Sequence, residues 1–255
     1  AACGRGGDGG GALTAADYIG TTSGAVSTGL KALRDSEQVR FNVVMVPGVS
    51  HRDVIAEMFS LVQFRKDSIA LIDPPFALLR DDVIDWHNGS NIAVPNAPVA
   101  PLTEPYALTC WPWYEQFSAY LEINVFLPPS AGVVQTFAAV DKAVGPFRAP
   151  AGPVYGKIPG VSLEFNPRQE DRDALLGGTN RINPIADFQS TGLTFFGNRT
   201  LQRFAGPLDS IHVVRMLIYV KRLVVDAIQT LQFAPNDPQT WRDFVQRVDP
   251  ILRSV

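Results

Sequence analysis

The 255-residue chain is 46% hydrophobic and 18% charged, apolar enough to bury the core of one large domain or two modest ones. A formal net charge of −3 leaves no basic field of the kind that holds nucleic acid. The two cysteines, Cys3 and Cys110, form no CxxC pair and no Cys/His set at ligand spacing, which argues against a disulfide scaffold or a zinc site.

The opening AACGRGGDGG has neither the charged nor the apolar region of a signal peptide, and no apolar run reaches the roughly 18 residues that span a bilayer. No membrane partner is expected. GRGGDGGGALT is glycine-rich enough for backbone N–H groups to crowd an anion. It lacks the Gly-Lys-Ser/Thr ending of a phosphate loop and no strand precedes it, so the expectation is a turn or junction. The absence of an initiator Met, with an amphipathic pattern still running at the end, makes a fragment the expectation.

FNVVMVPG (41–48) is a β-branched apolar run closed by Pro47-Gly48, a buried strand. Ser50 is placed to cap the following helix, with Asp53 in the capping-box position. Val54, Ile55, Met58, Leu61 and Val62 supply that helix's apolar face. SIALIDPP (68–75) is a second buried strand, so the three elements form a βαβ unit with a parallel pair. Pro95, Pro98, Pro101 and Pro105 punctuate a stretch near 90–105, read as a surface excursion or an extended arm.

YALTCWPWYEQ (106–116) and LEINVFLP (121–128) resume β character. Pro129-Ser130 opens a helix with Val133, Val134, Phe137, Val140 and Val144 on one stripe, stopped by Gly145-Pro146. Residues 167–176 predict a short polar helix capped by Asn166, and 183–201 a pair of strands. From Ser210, polar His212, Arg215, Arg222, Asp226 and Gln229 recur among apolar residues, predicting a long helix with one solvent edge. A last helix starts with Asp237 as cap and Pro238 in its first turn, with Trp241, Phe244, Val245 and Val248 facing inward and Pro250 ending or kinking it. The fold class is α/β, a mixed or parallel sheet flanked by helices.

One constellation has the residue types of a hydrolase. Ser50, His51, Asp53 and Asp73 lie beyond the carboxyl ends of the first two strands, where open α/β sheets place ligands. Ser50 and Asp53 also serve as helix caps in this reading, Asp73 before two prolines is a common strand exit, and no G-x-S-x-G elbow is present. His87 and His212 stand apart from other ligand types and read as surface or edge residues. Asp81, Asp82 and Asp85 read as a solvated helical face. Asn198-Arg199-Thr200 is an N-glycosylation sequon, meaningful only on a secreted chain.

From residue 106 onward the order of landmarks is distinctive. An aromatic-proline strand (YALTCWPWYE) precedes a Pro-Pro-Ser helix entry (VFLPPSAGVVQTF) and a segment ending Ala-Pro-Ala-Gly. INPIADF, then Gly197-Asn198-Arg199-Thr200, then a long helix leading to Pro-Asn and Trp241 follow. In this order they resemble the sheath protein of contractile phage tails, and LTAADYIGT, VMVPG and IALIDPP extend the resemblance over nearly the whole chain. The family's motif often carries Trp before its glycine and Ala after it, where this chain has Phe196 and Asn198.

The resemblance implies a sheath core likened to subtilisin in topology, with residues 1–165 as core and 166–255 as the start of a carboxyl-terminal segment packing onto it. It implies no enzyme and no cofactor, but a virion structural subunit, assembled in the bacterial cytoplasm, that polymerises around a tail tube and contracts to drive it through the host envelope. Its partners would be neighbouring copies through terminal arms, the tube, baseplate and terminator proteins. The sheath of a phage-like bacteriocin or injection system is the alternative, and a hydrolase using Ser50, His51 and Asp73 a remoter one. The sequon is then a structural landmark. Arg148, Arg199, Arg215, Lys221 and Arg222 are candidate contacts to subunits or tube. Trp111, Trp113, Phe195, Phe196 and Trp241 are expected in the core, and Gly132, Gly145, Gly152 and Gly197 in turns. With the arms missing, the chain is expected to be a monomer with an unpaired sheet edge.

Overall fold

The computed structural model describes residues 13–254 apart from Ala25 and Ile92, so the glycine-rich opening and Cys3 lie outside the described residues. A short helix α1 (Ala15–Ile19) and a two-residue ribbon, β1 (Thr22–Ser23) with β2 (Val26–Ser27), lead into β3 (Val43–Met45). Then come α2 (Arg52–Arg65), β4 (Ile69–Ile72), α3 (Arg80–Asn88), β5 (Ala107–Trp111), β6 (Tyr114–Ser118), β7 (Ile123–Leu127) and α4 (Pro129–Ala143). After α5 (Gly152–Tyr155), β8 (Ser162–Leu163) and α6 (Gln169–Leu176), the hairpin β9 (Ile182–Phe188) and β10 (Gly192–Phe195) precedes α7 (Ile211–Ile228) and α8 (Pro238–Ser254).

The central sheet runs β10-β9-β5-β4-β3. Strands β3, β4, β5 and β9 are parallel, and β10 returns antiparallel to β9. Parallel strands must be covered on both faces, and alternate residues show it. Ala70, Ile72, Ala107 and Trp111 pack with Val54, Met58, Leu61, Trp86 and Leu175 of α2, α3 and α6. Ile69, Leu71, Leu108 and Cys110 pack with Val133, Phe137, Val214 and Ile218 of α4 and α7. The molecule is therefore a helix–sheet–helix sandwich, the expected α/β class, and strands from both sides of residue 165 share its sheet.

The sequence runs 106–116 and 121–128 divide between two sheets. Only β5 joins the central one; β6 pairs with β7 and β8 in an antiparallel sheet of order β7-β6-β8. Trp111–Pro112, between β5 and β6, is a cis peptide bond.

Several local expectations are corrected. His51, not Ser50, caps α2, its Nδ1 accepting from Asp53 N at 3.2 Å. Asn166 does not cap α6: the Asp171 carboxylate accepts from Arg168 N, while Asn166 exchanges two bonds with the backbone of Asp187. Gly132 lies inside α4 rather than in a turn, and an added Cβ would meet Ile158 Cγ2 at 2.8 Å. Helix α8 continues through Pro250 to Ser254.

The proline-rich stretch is packed rather than free. Arg52 N donates to Asn96 O at 3.0 Å and Leu102 N to His87 O at 2.9 Å, while Ala97 and Leu102 are buried. Gly89 ends α3 with φ +74°, and a Cβ there would meet the Ala100 backbone at 2.5 Å, so the stretch lies directly on the helix end.

Candidate functional site

The hydrolase constellation does not assemble. Asp73, 1% exposed at the end of β4, accepts from Gly48 N at 3.0 Å, Ser130 N at 2.9 Å and Ser130 Oγ at 2.7 Å, and from neither Ser50 nor His51. His51 Nδ1 is spent on Asp53 N. Burial pushes the Asp73 carboxyl above the usual carboxylate range against the pull of those three donors. Its work is architectural: it ties the exit of β3, the exit of β4 and the amino end of α4, where the helix dipole favours an anion.

The Gly197–Thr200 motif joins the sheet to the long helix. Asn183, fully buried in β9, donates to Thr109 O at 3.0 Å and Arg199 O at 2.7 Å and accepts from Arg199 N at 2.8 Å. Gly197 is needed for that approach, since a Cβ there would meet Asn183 Cβ at 2.6 Å; its φ is not left-handed, so close approach rather than a turn explains it. Arg199 Nη1 reaches Asp209 Oδ2 at 2.7 Å, and Thr200 Oγ1 donates to Leu208 O at 2.6 Å. Asn198 accepts from His212 N through Oδ1 and from Ile211 N through its carbonyl, closing the first turn of α7.

The five candidate contact cations occupy different settings. Arg148 is exposed, its guanidinium 5.9 Å from the Tyr155 ring centroid. Arg199 is half-exposed in the pair just described. Lys221 donates to the carbonyls of Arg65 and Lys66 at the end of α2, at 2.9 and 3.3 Å. Arg222 bonds Asn42 Oδ1 and Phe41 O and lies 3.9 Å from Asp67. Arg215 is 6% exposed, bonded to Asp141 and stacked 4.2 Å from the Phe137 centroid, so the long helix lacks a continuous polar edge.

The aromatics sort equally unevenly. Trp111 and Phe195 are fully buried and Trp113 is half-buried, its Nε1 donating to Pro74 O at 3.0 Å. Phe196 at 41% and Trp241 at 61% exposure are surface residues, correcting their assignment to the core. Phe117, Tyr120, Leu121 and Ile123 also stand exposed at the β6–β7 turn. His87, expected at the surface, is instead fully buried, neither ring nitrogen in a well-formed hydrogen bond, and its pKa is pushed down to about 4 chiefly by burial, which outweighs the opposing polar contact with the neighbouring Asn88, with Arg203 and Arg181 adding to the fall. Cys110 is a buried free thiol. Among the described residues no His/Cys/Asp/Glu group could hold a metal, and no helix is long and apolar enough to cross a membrane.

The sheet has two edges, β3 and β10. Beside β3, between α4 and α7, lies a cavity of about 360 Å³, continued on the α4 side by one of about 340 Å³.

Sequence reasoning passed over Asn183 and Ser130, the two residues that organise these centres. The signal was present in one of them: Asn183-Pro184 sits inside a strand, where a proline has no N–H for the ladder and a neighbouring side chain must bond instead.

No protein-family model matches the chain. The tail sheath protein of Vibrio phage KVP40 is 27% identical over 247 residues, covering 89% of this chain and 36% of the relative. That of Enterobacteria phage T4 is 25% identical over 194 residues, covering 72% and 29%. The chain thus spans about a third of the length of the curated relatives it matches. Among solved structures, the sheath complex of the extracellular contractile injection system PVC in its contracted state superposes with a TM-score of 0.70 at 25% identity, over 89% of this chain and 58% of that one. The contracted helical sheath of the anti-feeding prophage shares the fold, with a TM-score of 0.64 at 22% identity, over 88% and 57%. The chain is homologous to contractile tail sheath proteins, which are structural proteins and not enzymes.

Proposed function

We propose that this chain forms the core of a sheath subunit that polymerises helically around a tail tube and passes from an extended to a contracted lattice, driving the tube through a cell envelope. The observation that carries the reading is 27% identity to a tail sheath protein along 89% of the chain. Agreement over that length, with a TM-score of 0.70 to a contracted sheath, involves the whole sandwich rather than one motif. The energy would be stored in subunit contacts, so the chemistry needs no cofactor.

Heterologous contacts that do not close into a ring build such a helix. The edge β3 is the place where a neighbour's extended arm would find unpaired backbone groups, since the outer side of β10 already bonds Gly156 and Ile158. Arg148, Arg199, Lys221 and Arg222 would meet the acidic surfaces of neighbours or tube. Tube, baseplate and terminator proteins are the partners of this reading, with assembly in the host cytoplasm and genome or effector delivery as the outcome. Phage tail and phage-like injection particle remain two settings for one mechanism, and the neighbouring genes, capsid or toxin, distinguish them.

Negative-stain electron microscopy of the full-length gene product, alone and with purified tube, tests the proposal. Hollow striated tubes support it; a product that stays monomeric at high concentration even with the tube present overturns it.

A further inference from the structure

His87 lies fully buried in the last turn of α3, in a setting built without negative charge. The charged groups that act on its ring are Arg203 and Arg181. Both are fixed in place, Arg203 by a bond to Thr179 Oγ1 and Arg181 by bonds to the carbonyls of Gln202 and Arg203. The acids of its own helix, Asp81, Asp82 and Asp85, are exposed, and Asp171 of α6 is paired with Arg80. Across the carboxyl end of α3 lies the proline-rich stretch, and residues 93–103 contain no charged side chain. Glu104, which follows, accepts from Gln63 Nε2 and Tyr106 N; burial raises its carboxyl, so acid neutralises it rather than charging it. The stretch is lightly held. Leu102 N donates to His87 O at 2.9 Å and Arg52 N to Asn96 O at 3.0 Å, and Ala97 and Leu102 are buried while Val99 stands exposed. A segment with so few buried contacts opens at a lower free energy than the sheet beneath it.

We propose that His87 is an acid-operated latch for this stretch: a proton on its ring frees residues 93–102 from the carboxyl end of α3 while the central sheet stays folded. A buried imidazolium beside two guanidiniums must take on water, and the uncharged stretch is the cover that gives way with the least loss of contacts. The dipole of α3 favours a cation at this end, but its pull is smaller than the cost of burying the charge. Burial, with Arg203 and Arg181 adding to it against the contact with Asn88, lowers the ring's pKa from 6.5 to about 4. The closed form therefore holds its full advantage above 6.5 and loses it as pH falls toward 4.

Native-state hydrogen exchange of the ¹⁵N-labelled chain from neutral pH down to about pH 4, corrected for intrinsic exchange rates, tests the latch. It compares Ala97 and Leu102 with Ala70, Leu71 and Leu108 of the sheet. The opening constant at Leu102 should rise about tenfold per pH unit below 6.5, while the sheet amides stay at least about a hundredfold better protected. His87→Leu should make opening at Leu102 independent of pH across this window. Where His87→Leu melts earlier than the parent, Arg203→Gln removes one of the two cations instead and should move the opening to higher pH in a folded chain. An opening constant at Leu102 that does not change with pH, loss of protection in stretch and sheet together, or an unaltered pH response in both variants overturns the proposal.

Discussion

Ser130 presents both its backbone N–H and its hydroxyl to the carboxylate of Asp73, at 2.9 and 2.7 Å, across 57 residues of sequence. No cation joins them in any bond to Asp73; the other donor is Gly48 N. Ser130→Ala should cost about 1.5–3 kcal/mol, the range for a bond to a charged group. Burial raises the folded carboxyl's pKa, so Asp73 favours the fold on the acid side and loses that contribution as pH rises through its titration. The Ser130→Ala penalty, which falls mainly on the charged form, should therefore be largest at neutral pH and shrink on acidification. Urea midpoints across pH check it, and Ser50→Ala should leave both stability and background esterase readings unchanged.

His87 supplies the opposite slope. Its pKa falls from 6.5 to about 4 on folding, so its contribution is complete above 6.5 and is lost as pH drops toward 4. In that window stability should decline by about 1.4 kcal/mol per pH unit, about 3 kcal/mol in all. His87→Leu, similar in volume and without ring nitrogens to leave unpaired, should flatten this window. Thermal unfolding from pH 4 to 8 measures the difference.

Gly197→Ala should cost more than the conformational preference of alanine would suggest, because its Cβ enters the space of Asn183. About 1–3 kcal/mol is the expected loss, as for overpacking elsewhere. Asn183→Ala removes three hydrogen bonds but keeps the Cβ that the new methyl would meet, so the clash persists, and the double variant should lose less than the sum of the singles only by the part of the Gly197→Ala penalty that comes from displacing those bonds. A double-mutant cycle in urea provides the test.

Arg222 and Lys221 clasp α7 to the chain on either side of the sheet edge, at Phe41–Asn42 and at the end of α2. Arg222→Ala should release residues 40–43 locally at a cost of about 1–2 kcal/mol, with little change in the opposite edge β10. Hydrogen exchange at Asn42 and Val43, compared with Leu193 and Thr194, reads it directly.

The helices α2, α4 and α7 and the strands β3, β4 and β9 were legible because each carries its own period of apolar residues. The ordered landmarks from Trp111 to Trp241 identified the relatives for the same reason: order along the chain is a property of sequence. Ser50 against His51 as cap of α2, and Asn166 against Arg168 at α6, were less legible, since adjacent polar residues offer the backbone nearly equivalent bonds and packing chooses between them.

Element type, strand–helix alternation and the resemblance to tail sheath proteins thus followed from the residues alone, since local periodicity and order survive without knowledge of the third dimension. The tertiary structure decided which apolar side chains are covered. Phe195 is buried and Phe196 is not, because Phe195 is the last residue of β10 while Phe196 stands one residue beyond it, where its ring meets only the half-covered surface beside Phe188 and Arg172. It also decided the partners of the buried polar groups, Asp73 with Ser130 and Asn183 with Arg199. Such pairs form between segments that only the stacking of sheet and helices brings within 3 Å, and a buried polar group must take whichever partner that stacking delivers.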